Sequence, residues 1–148
     1  MDFKLACKDD VDVLVAFRKQ QLIDEGQVAS LNIDNELQRY FLSLFADERS
    51  VIWKAEENGQ IITVGGVYFF QYPPSFENQT GQTAYVHSMY TAKEYRGQGA
   101  ASRILSFMID EAKKRDCKVI QLQASKQGKP VYEKIGFVEA DGHMSLRL

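Results

Sequence analysis

Hydrophobic and polar positions in the middle of the chain predict a strand, a short loop and a long helix in succession. Aromatic and β-branched residues dominate residues 85–91, and such residues suit a pleated strand. Further along, apolar residues recur at helical spacing and therefore share one face of a helix: Ala101, Ile104, Leu105, Met108 and Ala112. Glycines and other small residues separate the two elements. We expect the rest of the chain to be arranged around this strand and this helix.

The pattern before residue 85 predicts two helices and a hairpin. The helices are expected to start near residues 10 and 34, between a short first strand and the second strand. Residues 50–55 and 60–70 are expected to pair through Asn58-Gly59, a strong hairpin signal. Gly65-Gly66 within the second of these strands indicates a bulge or the close approach of another backbone.

The pattern after residue 115 predicts two more strands around a short helix. Residues 118–124 form the first of these strands, and Pro130 and Gly136 are expected to begin and end the helix. Residues 143–148 alternate polar and apolar side chains, which predicts a last strand. The chain is therefore expected to fold as one domain over residues 1–148, an α/β structure in which helices cover both faces of a mixed sheet.

The loop between the central strand and helix has the chemistry of an anion site. Small residues leave the amide N–H groups of the first helical turn uncovered, and those donors attract phosphate. A Walker A loop would need a lysine after Gly99, and a dinucleotide loop would need glycine where Ser102 stands. An ordinary helix start, with glycines for a tight turn, is the alternative without a ligand.

Two motifs in order resemble the GNAT superfamily, the Gcn5-related N-acetyltransferases. Arg96-x-x-Gly99-x-Ala101 follows the central strand, as in the coenzyme A loop of that family, and Tyr132-x-x-x-Gly136-Phe137 follows the next strand. The resemblance covers residues 83–148. It implies a mostly antiparallel sheet, acetyl-CoA as co-substrate, and a small-molecule or peptidyl amine as acceptor. The loop at residues 71–82 is long for a hairpin and is expected to border the acceptor pocket.

The resemblance also implies which residues hold acetyl-CoA. The family's pantetheine arm is often bound by an asparagine, and here Ser125 stands at that place with one hydroxyl to donate. The expected cofactor-binding residues lie on the central strand, in the loop and at that serine: Met89, Tyr90, Thr91, Arg96, Gly97, Gln98, Gly99, Ala100, Ala101 and Ser125.

Two residues are candidates for proton transfer. The family resemblance implies that Tyr132 is the general acid that protonates the departing coenzyme A thiolate. His87 is a candidate base, because a histidine titrates near neutrality; the alternative is a base made of ordered water. Simple alternation places Tyr85, His87 and Met89 on one face of the strand. A coenzyme A-binding sensor without turnover is the alternative to an enzyme.

Composition narrows the classes of partner. The net charge of −2 argues against nucleic acid as the principal partner, and no apolar run reaches the length of a membrane span. Cys7 and Cys117 have no metal-ligand spacing, so no metal is expected, and reduced thiols in the cytoplasm are the default. A homodimer is left open.

Overall fold

The computed structural model describes residues 1–140 and 142–148. It contains five strands, β1 Asp2–Leu5, β2 Ser50–Glu57, β3 Gln60–Gln71, β4 Gln82–Thr91 and β5 Val119–Gln121. Its α-helices are α1 Val11–Asp24, α2 Asp34–Phe45, α3 Ala100–Lys114 and α4 Lys129–Ile135. The two helices expected between the first and second strands are therefore confirmed, as are the long helix after β4 and the short helix after β5.

The five strands form one sheet in the order β1-β2-β3-β4-β5. Every neighbouring pair is antiparallel except β4 and β5, which are parallel. Asn58 and Gly59 have φ angles of 52° and 77° and connect β2 to β3, so the predicted hairpin is confirmed. A mixed, mostly antiparallel sheet is thus the fold, as the sequence indicated.

A separate hydrophobic core lies on each face of the sheet. On one face, α3 buries Ile104, Leu105 and Met108 completely against the sheet. On the other face, Leu14 of α1 and Phe41 of α2 are each about 1% exposed. Because the helices bury apolar stripes on opposite faces, the predicted arrangement with helices on both sides is confirmed.

A bulge in β4 changes which side chains share a face. Ser88 has a φ angle of 56°, and the pairing with β3 skips a position beyond His87. His87 consequently packs over Gly66 and contacts Tyr40 of α2, whereas Met89 packs beside Gly65 towards α3. The expectation that His87 and Met89 share a face was therefore wrong, because one extra residue in a bulge reverses the alternation beyond it.

One expectation about the rest of the chain was also wrong. Residues 143–148 form no strand, because their alternation shows that the segment can pair but does not supply a neighbouring strand. Residues 72–81 are not among those that line the cleft described below, and a role of this loop beside the acceptor stays a prediction. They lie at the other end of β4, where the Thr80 hydroxyl donates to the carbonyl of Asp116 just beyond the C-terminal end of α3.

Candidate active site

A cleft opens where β4 and β5 separate. The two strands pair along residues 83–85 of β4, and the later part of β4 diverges from β5. The resulting cleft has a volume of about 840 Å³ and lies between the end of β4, the loop after it, α4 and the end of α1. Most of the predicted site residues line it: Met89, Tyr90, Thr91, Arg96, Gly97, Gly99, Ala100, Ala101, Ser125 and Tyr132.

The loop before α3 presents unpaired donors to this cleft. Gly97 and Gly99 have φ angles of 77° and 85°, and this left-handed conformation suits glycine. Within the described chain, no main-chain carbonyl accepts from the N–H groups of residues 97–102. The space around both glycines is open, since an added Cβ would meet no atom within 4 Å. The loop therefore fits a phosphate group that accepts from several N–H groups at once.

Arg96 lies along the wall of the cleft and is oriented by three contacts. Its Nε donates to the carbonyl of Thr91 at 2.9 Å, and its Nη2 donates to Asp24 Oδ2 at 3.0 Å. The guanidinium also lies over the ring of Tyr90, at 5.5 Å from its centroid. Hydrogen bonds from Gln20 and Arg96 lower the pKa of Asp24. The ion pair thus joins the end of α1 to the loop before α3.

The short helix α4 carries Tyr132 into the opposite wall. Pro130 stands in its first turn and Gly136 ends it with a φ angle of 116°, as expected. The Tyr132 ring packs against Phe137 and lies close to Gly128, where an added Cβ would be 3.1 Å from the ring. Burial raises the pKa of Tyr132 to about 12, and the Glu25 carboxylate adds to that shift. The phenol is consequently protonated at neutral pH.

Ser125 and Gly128 shape the same wall. The Ser125 hydroxyl accepts from the N–H of Gly128 at 3.0 Å and keeps its own hydrogen to donate. Gly128 is not among the site residues predicted from the sequence. A glycine two residues before a helix-starting proline is the signal in the sequence that could have drawn attention to it.

Gln21 of α1 is a second residue that the sequence analysis missed. Its Nε2 donates to the carbonyl of Met89 at 3.0 Å, and its Oε1 accepts from Arg18 at 2.9 Å. Gln21 also lines the cleft. This contact joins α1 to the bulged part of β4 across 68 positions of sequence, so no local pattern could have indicated it.

The family model of the acetyltransferase (GNAT) family matches residues 18–137, which include the whole cleft. The chain belongs to this family. A predicted acetyltransferase from Clostridium acetobutylicum, crystallised with acetyl-CoA, is 42% identical in sequence. Its structure superposes with a TM-score of 0.93 over 99% of this chain and 95% of that chain.

Curated relatives in the GNAT family act on different amines. Thialysine N-ε-acetyltransferase from Sus scrofa is 30% identical over 98 residues, which is 62% of this chain and 55% of that enzyme. The chain thus spans about half the length of that relative. Glucosamine 6-phosphate N-acetyltransferase from Arabidopsis thaliana is 23% identical over 128 residues, 84% of each chain.

Two of the predicted site residues are not among those that line the cleft, namely Gln98 and His87. The Nδ1 atom of His87 lies 3.1 Å from the Ser88 hydroxyl, and its buried Nε2 has no partner within the described residues. The ring lies edge-on to Tyr40, with the centroids 6.0 Å apart. Burial lowers the pKa of His87 to about 4, and the nearby Arg18 adds to that effect. His87 is therefore neutral at pH 7.

Other reactive groups lie away from the cleft. Cys7 is exposed and Cys117 is half-buried, and burial raises the pKa of Cys117. Neither thiol lines the cleft. In the part of the chain that the structure describes, no three or more His, Cys, Asp or Glu side chains are grouped to hold a metal ion. No helix there is both long enough and apolar enough to cross a membrane.

Proposed function

We propose that this chain transfers an acetyl group from acetyl-CoA to an amine, by direct attack of the amine on the thioester within a ternary complex. The observation that carries the proposal is the placement of two different groups in one cleft: unpaired N–H donors on one wall and the protonated phenol of Tyr132 on the other. Membership of the GNAT family and the acetyl-CoA in the C. acetobutylicum structure support this reading.

The loop before α3 would hold the pyrophosphate of acetyl-CoA. The N–H groups of Gly97, Gln98, Gly99, Ala100 and Ala101 are the donors, and helix α3 adds the positive end of its dipole. Arg96 lies beside them and would contribute a charge-assisted contact once its ion pair with Asp24 rearranges. Along the cleft, the pantetheine arm would lie between residues 89–91 of β4 and Ser125.

Tyr132 would act when the thioester breaks. The amine nitrogen forms a bond to the acetyl carbon while the bond from that carbon to sulfur breaks, and the Tyr132 hydroxyl donates its proton to the leaving sulfur. A main-chain N–H of residues 89–91 would stabilise charge on the carbonyl oxygen, as the family resemblance implies. The amine loses one proton to water and Tyr132 regains one from water, so the products are an amide and the free thiol of coenzyme A, with the protein unchanged. No covalent bond to the protein is needed.

The amine proton has two candidate acceptors, water and His87. Neutral His87 has the protonation state that a base needs, but its Nε2 is buried and its Nδ1 faces Ser88. Transfer to His87 would need a movement of Tyr40 or a relay through water, whereas water in the cleft can accept the proton directly. We therefore propose water as the acceptor and keep His87 as the alternative that mutation can test.

The acceptor is proposed only as a small-molecule or peptidyl amine. The curated relatives are named for a thialysine side chain and for glucosamine 6-phosphate, which share an amino group and little else. Because these two substrates differ so much, the family relationship by itself does not select between them for this chain.

A paired substitution tests the coenzyme site. Gly99→Asp places a carboxylate where the phosphate would bind, and Gly59→Asp makes the same change at another left-handed, open glycine that does not line the cleft. We expect acetyl-CoA at about 100 times its Kd to stabilise the parent and Gly59→Asp by about 2.7 kcal/mol, seen as a higher Tm, and Gly99→Asp to lose that shift. ATP and NAD should give no comparable shift.

A turnover assay then distinguishes an enzyme from a protein that only binds acetyl-CoA. Release of free coenzyme A thiol would be followed with a panel of amines, for the parent and for both aspartate variants. We expect transfer to at least one amine by the parent and by Gly59→Asp. Tight acetyl-CoA binding by Gly99→Asp would refute the site, whereas tight binding by the parent without transfer to any amine would favour a coenzyme A sensor.

A further inference from the structure

A group of tyrosines lies beside the cleft, on the face of the sheet that α1 and α2 cover. Tyr68 of β3 pairs with Tyr85 of β4, and His87 follows two residues later, so the three side chains share this face. Tyr40 of α2 packs edge-on to the His87 ring and is itself 44% exposed. The helices therefore leave part of this aromatic surface open to a ligand.

Arg18 of α1 lies next to these rings. Burial raises the pKa of Tyr40, and the positive charge of Arg18 opposes that rise, whereas Tyr85 and Tyr68 add to it. The same charge adds to the effect of burial on His87. The guanidinium and the three tyrosine hydroxyls are therefore close enough to act on one another. We call Arg18, Tyr40, Tyr68 and Tyr85 the Arg18 cluster.

The positive charge of Arg18 has no negative partner in the part of the chain that the structure describes. Three arginines there are half-buried, namely Arg18, Arg96 and Arg115. Arg96 and Arg115 each form an ion pair with a carboxylate, whereas the one hydrogen bond that Arg18 donates goes to the neutral amide oxygen of Gln21. Removing a charge from water is costly unless it is paired, so an unpaired, half-buried guanidinium favours an anionic ligand.

The tyrosines of the Arg18 cluster offer further donors. Among the described residues, none of the hydroxyls of Tyr40, Tyr68 and Tyr85 forms a hydrogen bond, and none of these oxygens is enclosed. Each hydroxyl can therefore donate to a ligand. Arg18 has N–H groups left to donate as well, because its planar guanidinium carries five of them. Several free donors around one positive charge form a site for a carboxylate or a phosphate.

Gln21 connects this cluster to the place of the reaction. It accepts from Arg18 at 2.9 Å and donates to the carbonyl of Met89 at 3.0 Å. Gln21 and Met89 both line the cleft, whereas the loop before α3, which would hold the pyrophosphate, lines it elsewhere. The guanidinium is thus only one amide group away from the strand residues beside which the thioester is proposed to lie. An acidic group bound by Arg18 would be a few bonds away from the reacting amine.

We propose that the acceptor is an amine that also carries an acidic group, and that the Arg18 cluster binds this group while the amine lies beside Met89. The inference rests on the proposed acetyl transfer and adds the chemical class of the acceptor. The acidic group is a carboxylate or a phosphate, since both accept two parallel hydrogen bonds from a guanidinium. Arg18 is then a specificity-determining residue, because an amine without an acidic group leaves its charge unpaired.

Matched pairs of amines test the class of acceptor. The common amino acids would be compared with their carboxamides, and phosphoethanolamine with ethanolamine, by following release of the coenzyme A thiol. Each pair is compared at equal concentrations of the unprotonated amine, because removing the acidic group also changes the pKa of the amine. We expect at least one acidic compound to have a kcat/KM at least about 10-fold above that of its neutral counterpart. The two kinds of pair show whether the group is a carboxylate or a phosphate.

Arg18→Met and its control Lys19→Met test the residue. Both remove one positive charge from adjacent positions of α1, but Lys19 forms an exposed ion pair with Asp34 and does not line the cleft. We expect Arg18→Met to raise KM for the acidic acceptor at least about 10-fold and to leave kcat within about 3-fold, with no change for the neutral counterpart. Lys19→Met should match the parent on both compounds. Circular dichroism and the stabilisation by acetyl-CoA would show that both variants fold.

Failure of this inference can be distinguished from failure of the proposed function. Transfer that is as fast to the neutral amines as to the acidic ones, or an equal loss on both with Arg18→Met, overturns the acidic acceptor and leaves acetyl transfer intact. If the parent transfers to no amine, the proposed function is refuted. Titration of the same compounds into the protein saturated with coenzyme A then decides the inference. Tighter binding of an acidic compound to the parent than to Arg18→Met supports it, and equal binding overturns it.

Discussion

Tyr132 and His87 are both uncharged at pH 7, and burial shifts the pKa of each towards its neutral form, yet the structure gives them different surroundings. Burial raises the pKa of Tyr132 to about 12 and lowers the pKa of His87 to about 4. Tyr132 lines the cleft, whereas His87 packs between β3 and Tyr40 outside it. Burial therefore favours the neutral form of each residue, but the backbone decides which one can transfer a proton to a ligand.

Each of these two side chains packs against a glycine. An added Cβ at Gly66 would lie 2.5 Å from the His87 ring, and one at Gly128 would lie 3.1 Å from the Tyr132 ring. The contact at His87 leaves no space for a methyl group, while at Tyr132 the ring would have to move by a few tenths of an ångström to admit one. His87 is thus enclosed more tightly than Tyr132, which packs at the edge of the core where it lines the cleft.

The largest effect should come from removing the Tyr132 hydroxyl. Tyr132→Phe keeps the ring and its packing against Phe137, so acetyl-CoA affinity should change little. We expect kcat to fall by about 10²- to 10⁴-fold, because the hydroxyl assists as negative charge develops on sulfur. Steady-state and single-turnover kinetics would measure this loss.

His87→Gln is the comparison for that experiment, and we expect its kcat to stay within about 10-fold of the parent. A fall in the kcat of His87→Gln as large as that of Tyr132→Phe would identify His87 as the base. His87 would then take part in the reaction although it lies outside the cleft. If Tyr132→Phe instead retains full kcat with chemistry rate-limiting, then Tyr132 has a structural role.

The second prediction concerns stability at low pH. An unfolded histidine has a pKa of about 6.5, whereas buried His87 has a pKa of about 4, so between these values the unfolded chain binds the extra proton. The contribution of neutral His87 to stability is therefore present above about pH 6.5 and is lost as the pH falls towards 4. We expect the parent to lose about 3 kcal/mol more than His87→Gln across this window.

Urea unfolding of both proteins at several pH values would measure this difference. Carboxylates with lowered pKa values, such as that of Asp24, affect parent and variant equally and cancel in the comparison. Parallel stability curves for the two proteins would mean that His87 is not buried in solution as the structure places it.

The smallest effects should come from the two glycines. Gly66→Ala forces the His87 ring or β3 to move, and we expect it to lower the free energy of unfolding by about 1–3 kcal/mol with little change in kcat per folded molecule. Gly128→Ala should cost less than about 1 kcal/mol but reduce kcat by about 10-fold, because it displaces the Tyr132 ring. Thermal unfolding and steady-state kinetics of both variants would show whether Gly66→Ala mainly lowers stability and Gly128→Ala mainly lowers kcat.

Several elements were predictable from local pattern alone. Helix α3 follows from apolar spacing, the hairpin from Asn58-Gly59, and the ends of α4 from Pro130 and Gly136. The glycine loop was found for the same reason, since the left-handed conformation of Gly97 and Gly99 is a property of single residues. Such features depend only on residues that lie close together in the sequence, so the sequence by itself determined them.

Other features depend on contacts between distant parts of the chain, and the tertiary structure alone decided them. The bulge at Ser88 turned His87 away from Met89, and Gln21 reached β4 from a helix far away in sequence. Residues 143–148 have the alternation of a strand but no neighbouring strand among the described residues. A local pattern specifies at most a tendency, and the partner that satisfies it is positioned by packing across the whole sheet.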